Sequence, residues 1–277
     1  AIKHHQSGDF ATARVLYNRL LQLSPPPLDA LHLLGVTYLQ TNAPEEAEQY
    51  FRQVLDREPN HPDCLSNLSV ALKRQGKLKE AVDTAQKLVE LAPTHIDGRI
   101  NLANILLEAG YLERALAEHA WLVEHRPDRT VALCEQAQAQ RTAGLIAESI
   151  QTALQACKED PENSQAHFEV GQGFFRVGRL DAAIASFQKT VALSPTHVAA
   201  HNNLANAYLA QGRTSEAQAT YEEALKHHPT SPEIWNNLGT LLRKNSDPEA
   251  AVHCFERALE CAPGFAAAQA NLIEEYM

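Results

Sequence analysis

Apolar and small residues recur along the chain in two alternating patterns, and each is the apolar stripe of an α-helix. The first pattern has them at i, i+3, i+4 and i+7, and the second at i, i+4 and i+7. Both spacings keep the side chains on one helix face, so the sequence predicts an all-α protein of paired amphipathic helices. Examples are Leu31, Leu34, Gly35 and Tyr38 or Trp235, Leu238, Gly239 and Leu242 for the first pattern, and Ala47, Phe51 and Val54 or Ala251, Phe255 and Ala258 for the second.

Proline sets the period of this alternation. Eight prolines follow one another at intervals of 34 residues: Pro25, Pro59, Pro93, Pro127, Pro161, Pro195, Pro229 and Pro263. We number each repeat from 1 to 34 with this proline at position 32. Glycine then recurs at position 15, as Gly8, Gly76, Gly110, Gly144, Gly178 and Gly212. Glycine suits the turn after a helix and proline cannot continue one, so each repeat is predicted as helix, glycine turn, helix, proline turn.

The residue set at these positions resembles the tetratricopeptide repeat along the whole chain. It comprises Trp or Leu at position 4, Leu at 7, Gly or Ala at 8, Tyr or Leu at 11, Ala at 20, Phe or Tyr at 24, Ala at 27 and Pro at 32. The resemblance implies a right-handed superhelical solenoid of antiparallel helix pairs, with the first helices lining an inner groove. It predicts a single array over residues 1–277, with partial repeats at 1–27 (repeat 1) and 266–277 (repeat 9). The full repeats 2 to 8 are 28–61, 62–95, 96–129, 130–163, 164–197, 198–231 and 232–265.

Repeat 5 and the two ends depart from the pattern. Repeat 5 has Gln136, Gln140 and Ser149 at positions 7, 11 and 20, so we expect the stack to be weaker or bent there. Ala1 falls at position 8 and Met277 at position 12 of a first helix, which leaves Leu272 and Tyr276 as an open apolar stripe. The chain therefore resembles a window from a longer protein; a natural terminus with a half-repeat cap is the alternative.

Asparagines mark the predicted inner groove, at positions where alanine or leucine would favour the helix more. Position 6 reads Leu33, Asn67, Asn101, Glu135, Glu169, Asn203, Asn237 and Asn271; position 5 adds Asn202 and Asn236, and position 9 adds Asn104 and Asn206. An amide both donates and accepts, so it can bind a peptide backbone without reading its sequence. The pattern resembles the asparagine ladder in the repeat arm of O-linked N-acetylglucosamine transferases. The alternative is that the amides bond to neighbouring repeats and fix the stacking.

Cations and two aromatic residues are further groove candidates. Lys73, Arg74, Arg141, Arg176, Arg243 and Lys244 fall at positions 12 and 13. They could hold a carboxylate or an acidic peptide, or be solvated charges at helix C-termini. Phe168 and Phe175, at positions 5 and 12 of repeat 6, are expected to form an exposed pair beside Arg176 or to pack against the irregular repeat 5.

Composition excludes several other classes. A net charge of -10 disfavours nucleic acid as a partner, and there is no run of 18 apolar residues to span a membrane. Five cysteines without metal or disulfide spacing are typical of reduced thiols in the cytoplasm, although a start at Ala1 leaves targeting open. His61, His95 and His197 share position 34 in inter-repeat turns, and no metal site, phosphate loop, cofactor site or catalytic group is predicted.

The sequence thus predicts a non-catalytic module that binds an extended or acidic peptide, or a protein, in a concave groove. Two alternatives remain. The chain could be the substrate-recognition arm of a larger transferase, since DALHLLGV at residues 29–36 resembles early repeats of bacterial multi-domain proteins. It could also be a scaffold that self-assembles through its open repeat ends.

Overall fold

The computed structural model describes residues 1–276, and all of their regular structure is helical. The first helices of the repeats are α1 (Ile2–Gln6), α3 (Leu28–Gln40), α5 (Pro62–Arg74), α7 (Ile96–Glu108), α9 (Arg129–Thr142), α11 (Ser164–Arg176), α13 (Val198–Ala210), α15 (Pro232–Lys244) and α17 (Ala266–Tyr276). The second helices are α2 (Phe10–Leu20), α4 (Pro44–Arg57), α6 (Leu78–Leu91), α8 (Leu112–His125), α10 (Ile146–Glu159), α12 (Leu180–Leu193), α14 (Thr214–His227) and α16 (Pro248–Cys261). The predicted all-α class and the helix–turn–helix repeat are confirmed.

The chain divides into two compact units, Ala1–Pro127 and Asp128–Met277, which we call the N-terminal and C-terminal units. The boundary falls in the proline turn after repeat 4. Inside each unit, every helix packs on the next one along the chain, as in a solenoid. Several first helices also contact the first helix of the following repeat, namely α3 with α5 and α5 with α7, and α9 with α11, α11 with α13 and α15 with α17.

In repeats 1 to 8, the turn that joins the two helices has a left-handed residue at position 15. Six are the expected glycines, and the other two are Asn42 with φ 57° and Ser246 with φ 64°. In each turn the N–H of position 16 donates to the carbonyl of position 11, as from Lys77 to Leu72 at 3.0 Å. This closure satisfies a carbonyl that the ending helix leaves without a partner.

Close packing inside a repeat depends on a match between positions 8 and 24. Repeats 2, 6 and 8 pair Gly35 with Phe51, Gly171 with Phe187 and Gly239 with Phe255, and a Cβ on each glycine would lie only 2.6–2.7 Å from the ring. Repeat 7 pairs the larger Ala205 with Tyr221, and repeat 5 pairs Ala137 with Ala153. The small residues predicted at position 8 therefore make room for the second helix.

Polar side chains fix the start of the first helices. His61, His95 and His197 accept the N–H of the residue three positions later through Nδ1, so these turn histidines are N-caps. In five repeats the side chain at position 4 also donates to the carbonyl of the proline at position 32 of the preceding repeat, at 2.7–2.9 Å. These side chains are Arg99, His167, His201, Trp235 and Gln269.

Repeat 5 keeps helices of ordinary length despite its polar core positions. Ser149 is fully buried and donates to the Ala137 carbonyl at 2.7 Å. Gln140 is half-buried, and its Oε1 is buried with no hydrogen-bond partner among the described residues. The predicted weakness of this repeat therefore remains a prediction, with a buried unpaired acceptor as its physical basis. At the chain end, Leu272 is half-buried whereas Ile273 and Tyr276 are 59% and 69% exposed.

Candidate peptide-binding face

The first-helix face of each unit is formed by positions 5, 6, 9, 12 and 13 of its first helices. The ladder amides are the side chains of the five asparagines at position 6: Asn67, Asn101, Asn203, Asn237 and Asn271. Four of them form a hydrogen bond with the preceding repeat. The Nδ2 of position 6 lies within hydrogen-bond distance of the side chain at position 5 one repeat earlier. The pairs are Asn67 with His32 at 3.0 Å, Asn101 with Ser66 at 2.9 Å, Asn237 with Asn202 at 3.3 Å and Asn271 with Asn236 at 2.8 Å. These amides therefore crosslink neighbouring repeats within each unit.

Asn203 is the exception in the ladder. The residue at position 5 of the preceding repeat is Phe168, whose ring cannot accept a hydrogen bond as an amide or hydroxyl does. Asn203 is half-buried, and its side chain has no hydrogen-bond partner among residues 1–276. Its donor and acceptor groups are thus both available to a ligand.

The other predicted amides fall into two groups. Asn202 and Asn236 serve as acceptors for the next repeat, and Asn236 is only 9% exposed. Asn104 and Asn206, at position 9, are exposed and have no side-chain hydrogen bond within the described part of the chain. Only Asn206 lies one helical turn from the unpaired Asn203.

Two glutamates, Glu135 and Glu169, interrupt the asparagines at position 6, and Glu169 forms a buried ion pair. Glu169 is 1% exposed, and its carboxylate accepts from Arg141 at 3.0 Å and from Gln165 at 2.7 Å. A buried carboxylate needs such partners, because removing a charge from water is costly. Arg141 is therefore already neutralised inside the protein.

Most of the predicted groove cations have intramolecular partners. Lys73 pairs with Glu108 at 3.3 Å, and Arg74 donates to the Leu39 carbonyl at 2.7 Å. Arg243 pairs with Glu274 at 2.8 Å and also donates to Asn271 at 3.2 Å. Arg176 and Lys244 are exposed, with no ion pair in the described residues. The cations free to meet an acidic ligand are thus fewer than the sequence suggested.

The expected exposed pair of Phe168 and Phe175 is wrong for Phe168. That ring is 6% exposed and packs against His197, with ring centroids 4.6 Å apart, because His197 caps the next first helix beside it. Phe175 is 36% exposed.

Phe175 and Asn203 occupy two positions whose side chains meet in other repeats. Position 12 contacts position 6 of the following repeat in two observed cases, Arg141 with Glu169 and Arg243 with Asn271. Phe175 and Asn203 occupy the same two positions in repeats 6 and 7. The C-terminal unit therefore presents the exposed ring of Phe175, the unpaired Arg176 and the unpaired amide of Asn203 on two first helices that contact each other, α11 and α13. We call these three residues together with Asn206 the repeat 6–7 patch. The signal for it was available in the sequence, as the apolar Phe168 at position 5.

The described residues contain no group of three or more side chains that could hold a metal ion. Burial raises the pKa of Cys64 and of Cys134 to about 12, and that of Cys254 to about 11, so these thiols stay protonated near neutrality. Cys157 does approach His167, with Sγ 3.7 Å from Nδ1, but burial raises its pKa as well. Among residues 1–276 no helix is both long and apolar enough to cross a bilayer.

Known proteins resemble the chain in sequence profile and in fold. Tetratricopeptide repeat profiles match residues 4–66, 43–93, 134–198, 174–241 and 232–265, and one of them alone matches more than half of the chain. A search of curated proteins found no match.

Solved structures share the fold at low identity. A tetratricopeptide repeat protein from Parabacteroides merdae has a TM-score of 0.67 at 18% identity, over 90% of this chain and 99% of the other. Human IFIT1, in a dimer with m7Gppp-AAAA, has 0.58 at 17%, over 94% and 67%. A chain of the APC/C hetero-tetramer Cut9–Hcn1 has 0.59 at 15%, over 97% and 53%. The matched profiles, the 34-residue helix pairs and these structures agree, and the chain belongs to the tetratricopeptide repeat family.

Proposed function

We propose that the protein is a non-catalytic interaction module that binds an extended peptide segment on the first-helix face of the C-terminal unit, centred on the repeat 6–7 patch. The fold is consistent with protein interaction in general. The observation that supports this particular place is the unpaired amide of Asn203, because the other ladder amides already donate to a neighbouring repeat.

The chemistry of the patch suits a peptide main chain next to an apolar side chain. Asn203 and Asn206 offer donors and acceptors to the peptide bond, and Phe175 offers an exposed ring. Arg176 adds an unpaired positive charge, which favours an acidic residue or a terminal carboxylate in the ligand. Each neutral hydrogen bond adds only about 0.5–1.5 kcal/mol net, so binding to this patch is expected to be modest and tolerant of sequence.

The ladder asparagines outside the patch can also contribute to peptide binding, through their side-chain carbonyl oxygens. In Asn67, Asn101 and Asn237 the donated hydrogen holds the repeats together, and no described residue donates to their Oδ1 atoms. A bound peptide could use these acceptors without breaking the crosslinks. Packing and binding are therefore compatible roles for the same asparagine.

The test begins with peptides selected from a random library displayed on phage, using the whole protein as bait. Fluorescence anisotropy then measures the Kd of a selected peptide for the wild type, Asn203→Ala and Asn237→Ala. Asn203→Ala should weaken binding by about tenfold and leave Tm unchanged, because it removes an unpaired amide. Asn237→Ala is the matched control, which should lower Tm because it removes a crosslink.

Two results would contradict the proposal. One is an unchanged Kd in Asn203→Ala together with a lowered Tm, which would make this amide structural. The other is selection of peptides whose binding is unaffected by Phe175→Ala, which would place the ligand elsewhere.

A further inference from the structure

A second surface of the C-terminal unit is a candidate binding site separate from the repeat 6–7 patch. It is a cleft of about 320 Å³ between the second helices α12 and α14, over α13. Val191, Leu204, Tyr208 and Ala219 give it a mainly apolar wall. Glu216 and Glu223 stand at its rim, two turns apart on α14.

Other repeats of this chain carry a long side chain at the position that Glu223 occupies, position 26. In repeat 3 the Nζ of Lys87 reaches the Pro59 carbonyl of the preceding repeat at 2.6 Å. In repeat 6 Lys189 reaches Glu162 of the preceding repeat at 3.2 Å. In repeat 8 the guanidinium of Arg257 lies 5.6 Å from the centroid of the position-4 ring, Trp235. In repeats 3, 6 and 8, position 26 thus sends a cation across the seam between consecutive repeats or onto the ring at position 4, whereas repeats 2, 4 and 5 have Gln53, Trp121 and Gln155 there.

Repeat 7 lacks this cation and has the complementary charges instead. Glu223 is shorter than lysine or arginine and turns along its own helix to Lys226 at 2.6 Å. A hydrogen bond from Arg213 lowers the pKa of Glu216, and one from Lys226 lowers that of Glu223, so both rim carboxylates are charged near neutrality. The cleft is therefore open and apolar inside, with two charged carboxylates at its rim. Each carboxylate also has a cation of the chain on one oxygen, Arg213 on Oε1 of Glu216 at 2.9 Å and Lys226 on Oε2 of Glu223, so a ligand cation would share these groups through the other oxygen.

A buried acceptor also lines the cleft. His201, at position 4, is 4% exposed, and its Nε2–H donates to the Pro195 carbonyl at 2.9 Å. Nδ1 is then an acceptor, and it has no hydrogen-bond partner in the described structure. Burial lowers the pKa of this imidazole, which keeps it neutral and able to accept. A buried polar atom without a partner is uncommon and needs an explanation.

We propose that this cleft receives an arginine side chain from a protein partner. The methylene stem lies on the wall formed by Val191 and Leu204, and the guanidinium lies between Glu216 and Glu223. Long cationic side chains bury their stems on apolar surface while the charged head meets carboxylates, and the guanidinium has enough donors for both rim groups. The partner supplies in trans the cation that repeats 3, 6 and 8 supply from their own position 26.

The probe for the test is Nα-acetyl-arginine N-methylamide, titrated into the whole protein with methyl NMR of Val191, Leu204 and Ala219 as the readout. Saturable shifts of these signals, with a Kd in the millimolar range, are expected. The neutral isostere Nα-acetyl-citrulline N-methylamide should bind at least fivefold more weakly, and so should arginine to the variant Glu216→Gln/Glu223→Gln. No shift at up to about 50 mM, or equal binding of citrulline, would overturn the proposal.

A second variant fills the cleft from within. Glu223→Arg gives repeat 7 the residue that repeat 8 has at position 26, and it should abolish the response to the arginine probe without lowering Tm. Glu222→Arg is the matched control, because it makes the same charge change on an exposed neighbouring position. Undiminished binding to Glu223→Arg would also overturn the proposal. Asn203→Ala should leave the arginine response unchanged, so this site and the peptide-binding patch can fail separately.

Discussion

Single residues in this protein work as matched pairs. A glycine at position 8 faces a phenylalanine at position 24 in three repeats, and alanine faces tyrosine, histidine or alanine in four others. Repeat 3 has Ser69 and Ala85 at these positions. The polar exceptions are also paired, since Glu169 has Arg141 and Gln165. His119 is different: it is 2% exposed at position 24, and neither ring nitrogen has a partner among the described residues. Pairing at this scale therefore identifies which substitutions the fold will resist.

Gly171→Ala should destabilise the protein by about 1–3 kcal/mol, because the new Cβ would overpack a buried ring. That Cβ would lie 2.6 Å from Cε1 of Phe187, which is fully buried. In a Phe187→Ala background the same change should be neutral or stabilising, since alanine favours a helix more than glycine does. Urea unfolding of the four proteins measures this coupling, and an equal cost in both backgrounds would contradict the pairing.

Acid should destabilise the protein through His119. Burial lowers its pKa from 6.5 to about 4 in the folded state, whereas the unfolded chain protonates near the ordinary value. The stability held above pH 6.5 is therefore lost progressively as the pH falls from 6.5 to about 4, because only the unfolded state gains the proton.

The comparison for this effect is His119→Tyr, which copies the alanine–tyrosine pair of repeat 7. Free energies of unfolding from urea titrations between pH 7 and pH 4 should fall more steeply for the wild type than for this variant. Parallel pH profiles of the two proteins would show that His119 does not titrate as argued.

At the scale of helices and turns, the structure depends on one backbone geometry that every complete repeat uses. Position 15 is left-handed whether it is glycine, Asn42 or Ser246, because the position 16 to position 11 hydrogen bond requires that turn. The cost of this conformation is about 1–2 kcal/mol for an ordinary residue and close to zero for glycine. The two non-glycine turns therefore carry a backbone cost that the six glycine turns avoid.

Ser246→Gly should raise the free energy of unfolding by up to about 1 kcal/mol, and Asn42→Gly should raise it less, because asparagine tolerates the left-handed region. Gly178→Ala should lower it by a similar amount although nothing lies within 4 Å of the added Cβ, since the penalty is in the backbone alone. Asn245→Gly, at a residue with φ -85°, is the matched control and should destabilise. Chemical denaturation of the four variants tests all of these signs, and a stabilised Asn245→Gly would refute the backbone explanation.

At the scale of the whole molecule, the features that follow from the 34-residue period could be predicted from the sequence. The features that depend on which residue the neighbouring repeat supplies could not. Helix class, turn positions and the inward small residues follow from spacing within one repeat, and these predictions are confirmed. The role of each asparagine side chain does not follow from this spacing, because it depends on the residue 35 positions earlier. That residue is Asn202 for Asn237, which can accept its hydrogen bond, and Phe168 for Asn203, which cannot. The burial of Phe168 by His197 was missed for the same reason.

The stability of a repeat array is a sum of local terms, so one weak repeat can open without its neighbours. In the C-terminal unit we expect the amides of α9 and α10 to exchange faster than those of α11 and α12. The core of repeat 5 has the small pair Ala137 and Ala153 and the unpaired Oε1 of Gln140.

Hydrogen exchange with mass spectrometry measures this difference, and Gln140→Leu provides the control. It places at position 11 the residue that Leu72, Leu106 and Leu242 provide in other repeats, so it should slow exchange in repeat 5. Uniform protection of α9 to α12 in the wild type would contradict the expectation.

The ring at position 24 and the residue that accommodates it at position 8 always come from the same 34 residues. Recombination that joins two genes in the proline turn would therefore transfer a glycine and its phenylalanine together, whereas a crossover in the glycine turn would separate them. Duplication or deletion of whole repeats can therefore lengthen or shorten such an array without any adjustment of the packing inside a repeat. Chimeras should tolerate junctions in the proline turn far better than junctions in the glycine turn.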